Sequence, residues 1–382
     1  MNPYDFARVD WNRPPERRQP VWHHRLVGRG DQKLYSGSIE VNVYAETPLF
    51  ISDPRAVSQD PRRPAQSIKN KQGEYIIPGS SLKGMLRCVV ETLGNGCFTL
   101  FDGNYEQERR NEYKAPYRNL IAQPFLHCSD NANLCIACRI FGMLKERASG
   151  IFLGKINIGD ACAYSDKVKL YKPIYTVPLM TPKPHHRDFY LDPSQKRIAG
   201  RKYYFHHSPD IEPIMARGPL RLGNVTNRYI QPLDYDTMFH FRLDFTNLEA
   251  DEFAALLLAI ALEKDMRHKI GSCKPLGLGS IYLDPVSLTL VDYAARYSPS
   301  GKERSKTVLQ GNEMWNVFYD HIDDFSSKQL IQIAMNDLRR IWRWLPNPDV
   351  DYYYPSKRDW FDTSDSIGKR IADTRDVPEQ RY

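Results

Sequence analysis

Lys83 and Arg87 stand four residues apart in the run Ile76-Ile-Pro-Gly-Ser-Ser-Leu-Lys-Gly-Met-Leu-Arg87, and they open the chemistry of this chain. Pro78-Gly79 closes a short apolar run, and a helix opens on Ser80-Ser81, where a serine oxygen can accept from an unpaired backbone N–H. Two like charges at that spacing repel mildly on a helix. An anion lying across the helix start would relieve the repulsion and use the free N–H groups. An ordinary surface helix with two solvated cations would show the same residues.

A second group is made of thiols. Cys128, Cys135 and Cys138 lie close together and run into Arg139-Ile-Phe-Gly142. A Cys-x-x-Cys pair can chelate through the tight turn that tetrahedral zinc favours, and Cys128 adds a third thiolate. The fourth ligand is open: His127 is nearest, although its adjacency to Cys128 strains joint ligation, and Cys97 is the next candidate. Cys88, Cys162 and Cys273 read as packing residues.

A third group follows a late helix: Gly271-Ser-Cys-Lys274-Pro-Leu-Gly277-Leu-Gly279. A dinucleotide fingerprint needs its glycines between a strand and a following helix, and here the order is reversed. Close approach of backbone to a phosphate chain is the better functional use, with Lys274 as the point charge. No Walker loop, zincin motif or nucleophile elbow is present. His185-His186 and His206-His207 are candidates for acid–base work on RNA, and more readily polar surface or stacking residues. Asp53 and Asp60 sit in the loop before the motif helix, where a carboxylate could assist phosphodiester cleavage, directly or with Mg²⁺.

These groups need elements to position them. Ile39, Val41 and Val43 alternate with Glu40, Asn42 and Tyr44, which predicts a half-buried strand over 38–47. A polar loop over 52–74, a strand at 75–77 and a helix over 81–93 follow, the helix burying Leu82, Met85, Leu86, Val89, Val90 and Leu93. The grammar returns with a strand over 239–245, a helix from about 249 to 268, the glycine loop and a strand over 280–290. Two strand–helix–strand halves predict an α+β fold with a duplicated, ferredoxin-like (RNA-recognition-like) core. Residues 1–37 read as an irregular arm, 297–312 as a linker, and 326–344 as an amphipathic helix in a mainly helical extension from 291 to 382.

The 382 residues are 41% hydrophobic, enough for a sizeable core, and Lys+Arg 53 against Asp+Glu 46 leaves a net charge of +7. Residues 164–207 concentrate that excess, with nine Lys/Arg against three Asp and no Glu, interleaved with aromatics such as Tyr171, Tyr190 and Tyr204. Basic groups track a phosphate backbone while aromatic faces stack on bases. No apolar run is long enough for a membrane span, the N-terminus lacks signal-peptide character, and an odd cysteine count argues against a disulfide framework. A cytoplasmic protein with no membrane partner is the expectation.

Three of these segments, 77–87, 135–142 and 271–279, occur in an order that resembles the RAMP superfamily of CRISPR-associated proteins over roughly residues 38–290. The chain is similar in particular to backbone subunits of type III effector complexes. Its opening Asn2-Pro-Tyr-Asp-Phe6 and the stretch Gly200-Arg-Lys-Tyr-Tyr-Phe-His206 resemble the type III-D branch and the related type VII systems. The resemblance implies a prokaryotic protein that polymerises along a guide (CRISPR) RNA and presents it to target RNA. It implies contact with further copies of itself, other effector subunits and a separate nuclease, and a β-hairpin thumb that kinks the guide.

The resemblance also carries residue roles. Candidate RNA contacts are Ser80, Ser81, Lys83, Arg87, Arg139, Arg201, Lys202, Lys274 and Gly277, and the cysteine run becomes a structural zinc site. In cutting members of the family an aspartate of the loop before Pro-Gly-Ser-Ser cleaves target RNA. The equivalent place falls near Arg63, and a loop gap would bring Asp60 into register. The leading reading is a non-cutting scaffold. The alternatives are a target-RNA endonuclease using Asp60 or Asp53 with Mg²⁺, a guide-processing ribonuclease using a histidine pair, and a protein that only bridges other subunits.

Overall fold

A computed structural model gives the architecture. It describes residues 2–53, 62–99, 120–144, 150–179, 190–194, 196–219, 221–222, 225–298, 305–350, 352 and 354. The main elements are strand β1 (Tyr35–Ala45), helix α1 (Gly79–Leu93), strand β2 (Met238–Leu248), helix α2 (Ala250–Ala261), strand β3 (Ser280–Val291) and helices α3 (Gly311–Lys328) and α4 (Gln332–Ile341).

The alternation in the first strand does what its pattern predicts. Ile39, Val41 and Val43 are fully buried while Glu40, Asn42 and Tyr44 stay half-exposed on the opposite face. β1 lies at the centre of an eight-stranded sheet, flanked by β3 on one side and β2 on the other, both antiparallel. Short strands at Ile156–Ile158 and Ala161–Ala163 pair with the far edge of β2. In chain order the long strands and the 161–163 strand are first, second, third and fourth at β1, 161–163, β2 and β3. In space they run fourth, first, third, second.

Helix α1 enters through Pro78 and buries Leu82, Leu86, Val89 and Val90. The serines do not cap it. The acceptor at its start is the carboxylate of Asp160, which takes the Gly79 N–H at 2.8 Å. Gly79 is required by proximity, since a Cβ there would stand 2.1 Å from the Ile158 carbonyl oxygen. Helix α2 is buried continuously from Glu252 to Ile260, because the sheet covers one side and α3 and α1 pack on the others. It stops at Ala261 rather than near 268. The polar Glu263-Lys264-Asp265 run follows, and His268–Lys269 is drawn into the sheet against Ser280 and Ile281.

The N-terminal and C-terminal segments are tied into this core. Tyr4–Ala7, expected to be irregular, is a buried strand antiparallel to Arg201–Tyr204. The expected linker contains a strand, Lys306–Leu309, which pairs with β3. The single helix expected at 326–344 is two helices, broken where the Ile331 N–H donates at 2.9 Å to the Leu93 carbonyl at the end of α1. That bond satisfies a carbonyl that the helix itself leaves open.

Residues of the basic segment and its sequel build a small second sheet, in the order Met215–Ala216, Ile174–Thr176, Tyr229–Gln231, Ala65–Gln66. Its own core, Ile174 and Ile230 with Phe50, Leu276 and Leu278, fastens it to the glycine loop. Arg221–Leu222 also pairs antiparallel with Val225–Thr226.

Candidate nucleic-acid cleft and metal centre

The glycine loop folds back against α1 and leaves a cleft of about 460 Å³ between them. Ser81, Gly84, Met85 and Cys88 line it from α1, Gly271, Ser272 and Lys274 from the loop, and Lys202, Tyr203 and Tyr204 from the strand that the N-terminal segment completes. The loop owes its shape to left-handed positions. Gly279 has φ +85°, and a Cβ there would stand 1.9 Å from the Ile270 carbonyl oxygen.

Three lysine side chains, Lys202, Lys269 and Lys274, line the cleft, and no carboxylate is among the described residues that line it. Lys274 Nζ donates to the Gly271 carbonyl at 2.7 Å. Lys202 Nζ lies 3.7 Å from the Tyr4 ring centre and 4.9 Å from that of Tyr204, so cation–π attraction takes the place of a counter-ion. Lys269 Nζ donates to Ser280 Oγ at 3.1 Å. Burial, and then the charge of Lys274, push Lys202 down to about 8 and Lys269 down to about 7. Burial lowers Lys274 as well. Desolvated lysines with no carboxylate among the described lining residues make a site for an anion.

The cleft gathers Ser81, Lys202 and Lys274 from the sequence-derived set, and adds Lys269, which sequence reasoning missed. Its signal was slight: one cation next to a histidine, two residues before the loop. Gly277 is close by but packs on His207, whose Nδ1 would stand 3.1 Å from a Cβ there. Ser80 lies exposed at the start of α1.

Lys83 and Arg87 do not line the cleft. Two residues on from Ser81 a helix has turned by about 200°, so this pair faces the other way. Lys83 Nζ reaches the Ile156 carbonyl at 3.4 Å, and burial followed by the nearby Arg87 lowers its pKa. Arg87 binds Glu91 at 2.8 Å and the Gly142 carbonyl at 3.1 Å. Arg201 is also spoken for: it binds the other oxygen of Glu91 at 2.9 Å and the carbonyls of Gly96 and Cys97, and it covers the Phe98 ring at 4.0 Å.

Arg139 is out of reach of RNA in this fold, with 1% exposure. Its guanidinium binds Glu252 and Asp251, each at 2.7 Å, and Lys155 takes the second Glu252 oxygen at 2.7 Å. His206 and His207 are not surface groups either. Both are buried, and desolvation pushes His207 down to about 3 and His206 well below its ordinary value. Such histidines stay neutral and hold structure. Cys88, expected to pack in the core, is exposed at the cleft wall. Asp60 and His185-His186 lie outside the described residues.

Cys97, Cys128, Cys135 and Cys138 form a buried cluster whose sulfur atoms lie within 4.8 Å of one another. Cys97 Sγ is 3.6 Å from Cys138 Sγ and 3.7 Å from Cys135 Sγ. Those separations are far beyond an S–S bond of about 2.05 Å. They match the edge of about 3.8 Å that a tetrahedron of thiolates has at a Zn–S distance of about 2.3 Å. The donor set therefore fits a metal ion such as zinc, and the fourth member is Cys97 rather than His127. Arg87 Nη2, 3.5 Å from Cys138 Sγ, and Arg201 on the Cys97 carbonyl would supply positive charge to the four thiolates that such an ion needs. The cluster clips the segment after α1 to the Ile136–Phe141 helix.

Residues 42–282 match the RAMP superfamily, well over half of the 382-residue chain. The chain belongs to that superfamily of CRISPR-associated proteins. Among curated proteins, none matches it. Family membership gives it an RNA-binding role connected with CRISPR in general terms, since RAMP proteins generally bind CRISPR RNA within multi-subunit complexes. Among the described residues, no helix is long and apolar enough to cross a membrane.

Proposed function

We propose that the chain is a non-cutting backbone subunit of a type III-D-like or type VII effector in the prokaryotic cytoplasm. It holds guide RNA by its phosphates and presents it to target RNA. The observation that carries this reading is the cleft between α1 and the glycine loop, where Lys202, Lys269 and Lys274 meet with no carboxylate among the described lining residues. A ferredoxin-like core is supported by the spatial strand order fourth, first, third, second, with all neighbours antiparallel. The hairpin Arg221–Leu222/Val225–Thr226 is our assignment for the thumb, and the four-cysteine cluster for a structural Zn²⁺ site. Phosphate contacts carry affinity while sequence is left to base pairing. Further copies along the guide, other effector subunits and a separate nuclease complete the assembly.

The test is binding of labelled single-stranded RNA by the full chain, followed by anisotropy across a salt series. We expect tight binding that hardly depends on base sequence, weakened at least tenfold in the Lys202→Ala/Lys274→Ala variant. The salt slope should also become shallower, by about 0.7 for each lost contact. Unchanged affinity and slope in that variant would remove the cleft from the RNA path. A loop nuclease is the second reading, because Asp60 precedes the motif helix. Regularly spaced cuts in complementary RNA with Mg²⁺ and no other nuclease, lost in Asp60→Ala, would make this subunit the enzyme.

A further inference from the structure

Lys269 is held differently from the other two lysines of the cleft. It is 6% exposed, yet it belongs to the cleft wall, and its one side-chain hydrogen-bond partner given by the structure is a hydroxyl. The polarity of that contact is fixed by what lies behind it. The Arg267 carbonyl can only accept, so His206 carries its proton on Nε2, 3.0 Å from that oxygen. Nδ1 of the same ring is then an acceptor and takes the Ser280 hydroxyl proton at 2.8 Å. Ser280 Oγ is left to accept from Lys269 Nζ. The chain of bonds runs one way, from Lys269 through Ser280 and His206 to a backbone carbonyl, and it takes one N–H of the lysine.

Among the described residues that line the cleft, none carries a negative charge to offset one on Lys269. Burial, and then the positive potential of Lys274 on the loop, push Lys269 down to about 7, so that at pH 8 the amine is mostly uncharged. Lys202, on the Arg201–Tyr204 strand across the cleft lining, is pushed down to about 8 by burial and then by the same Lys274. His206 and His207 are buried and neutral, and Arg267 is paired with Glu46 at 3.0 Å. From α1 the cleft receives Ser81, Gly84, Met85 and the exposed Cys88 thiol, whose ionisation is opposed by desolvation at the cleft wall and then by Glu91. Tyr203 and Tyr204 are phenols whose ionisation burial also opposes.

We propose that the floor of this cleft is a proton-coupled phosphodiester subsite, in which Lys269 gains a proton from solvent as an RNA backbone phosphate enters. The inference rests on the guide-holding reading above and adds its regulation. Above about pH 7 the free cleft hosts a neutral amine at low cost. A phosphate oxygen beside Nζ supplies the missing negative charge, and the amine becomes an ammonium that donates to it. One proton leaves solvent, one N–H forms, and no other bond changes.

The experiment is calorimetric titration of the full chain with single-stranded RNA of mixed sequence, in buffers of different ionisation enthalpy. At pH 8 the heat should vary linearly with the buffer's ionisation enthalpy, with a slope near one proton taken up per subunit. At pH 6 the slope should fall close to zero, because the amine is already charged. Across alkaline pH the affinity should fall by up to about tenfold per unit, the limit for one linked proton. Lys269→Met should lose most of the slope at pH 8 and keep part of it through Lys202. Binding with buffer-independent heat at pH 8 would overturn the coupling and leave the guide-holding reading intact, as would an unchanged slope in Lys269→Met. Failure of RNA to bind at either pH would overturn both readings. The wild-type buffer series decides the matter even if the variant does not fold.

Discussion

Arg139 shows how a cation that looks available in a sequence becomes structural in the fold. It follows Cys138 on the short helix Ile136–Phe141, and that helix aims it at the start of α2, where Glu249, Asp251 and Glu252 gather. Negative charge in a first helical turn is favourable, and Glu252 also accepts from the Glu249 N–H at 3.1 Å to close a capping box. With Arg18 on Asp251 at 2.6 Å and Lys155 on Glu252, three cations meet three carboxylates. Removing one member of a buried pair strands its partner, which typically costs about 3–5 kcal/mol. Arg139→Met should therefore lower the unfolding free energy by about that amount in urea titrations. The affinity of its folded fraction for single-stranded RNA should stay within about twofold of wild type. A normal unfolding curve with lost RNA binding would put Arg139 back among the RNA contacts.

The elements were more legible than the direction of their side chains. The α1 helix and strands β1, β2 and β3 could be read because each carries its own period, 3.6 or 2, in a continuous stretch. What could not be read depends on partners far away in the chain. The Tyr4–Ala7 strand is too short to announce itself, and it exists because Arg201–Tyr204 lies beside it. Likewise Lys202 reaches the cleft only once that pairing has placed Tyr4 against it. Lys83 and Arg87 lie on α1 as their spacing predicts, but which face of it meets the glycine loop is a tertiary fact. The cysteine spacing pointed to a metal site and left its fourth ligand open, because Cys97 is distant in sequence. The four sulfurs settle the geometry and give the element-scale prediction. The purified chain should carry about one zinc, His127→Ala should keep it, and Cys97→Ser should lose most of it, as read by elemental analysis. Chelation should also lower the melting temperature, since the cluster ties the segment after α1 to the Ile136–Phe141 helix. Loss of zinc in His127→Ala comparable to that in Cys97→Ser would return the fourth position to the histidine.

At the scale of the whole molecule, burial of neutral bases sets how stability depends on pH. His206, His207 and His268 are all buried, and desolvation is the first cause of each depressed pKa: well below the ordinary value, about 3 and about 4. A histidine neutral in the fold and ordinary when unfolded binds its proton first in the unfolded chain. Its contribution is therefore complete above pH of about 6.5 and is lost as the pH falls, by about 2 kcal/mol per histidine on reaching pH 5. Lys269 extends the same trend upward. Its folded value of about 7 lies below the ordinary one of 10.5, so the unfolded chain holds more protons throughout that interval. Stability should accordingly rise from pH 5 to pH 9, where many proteins have already passed their optimum. Urea titrations at fixed ionic strength measure it, with metal content followed in parallel so that protonation of the thiolates is not mistaken for charging of the histidines. A midpoint that is flat between pH 5 and pH 7 while the metal is retained would mean that these histidines are solvated in the folded protein. A midpoint that falls between pH 7 and pH 9 would mean that Lys269 is charged at rest. The cleft would then have no proton to gain from a phosphate.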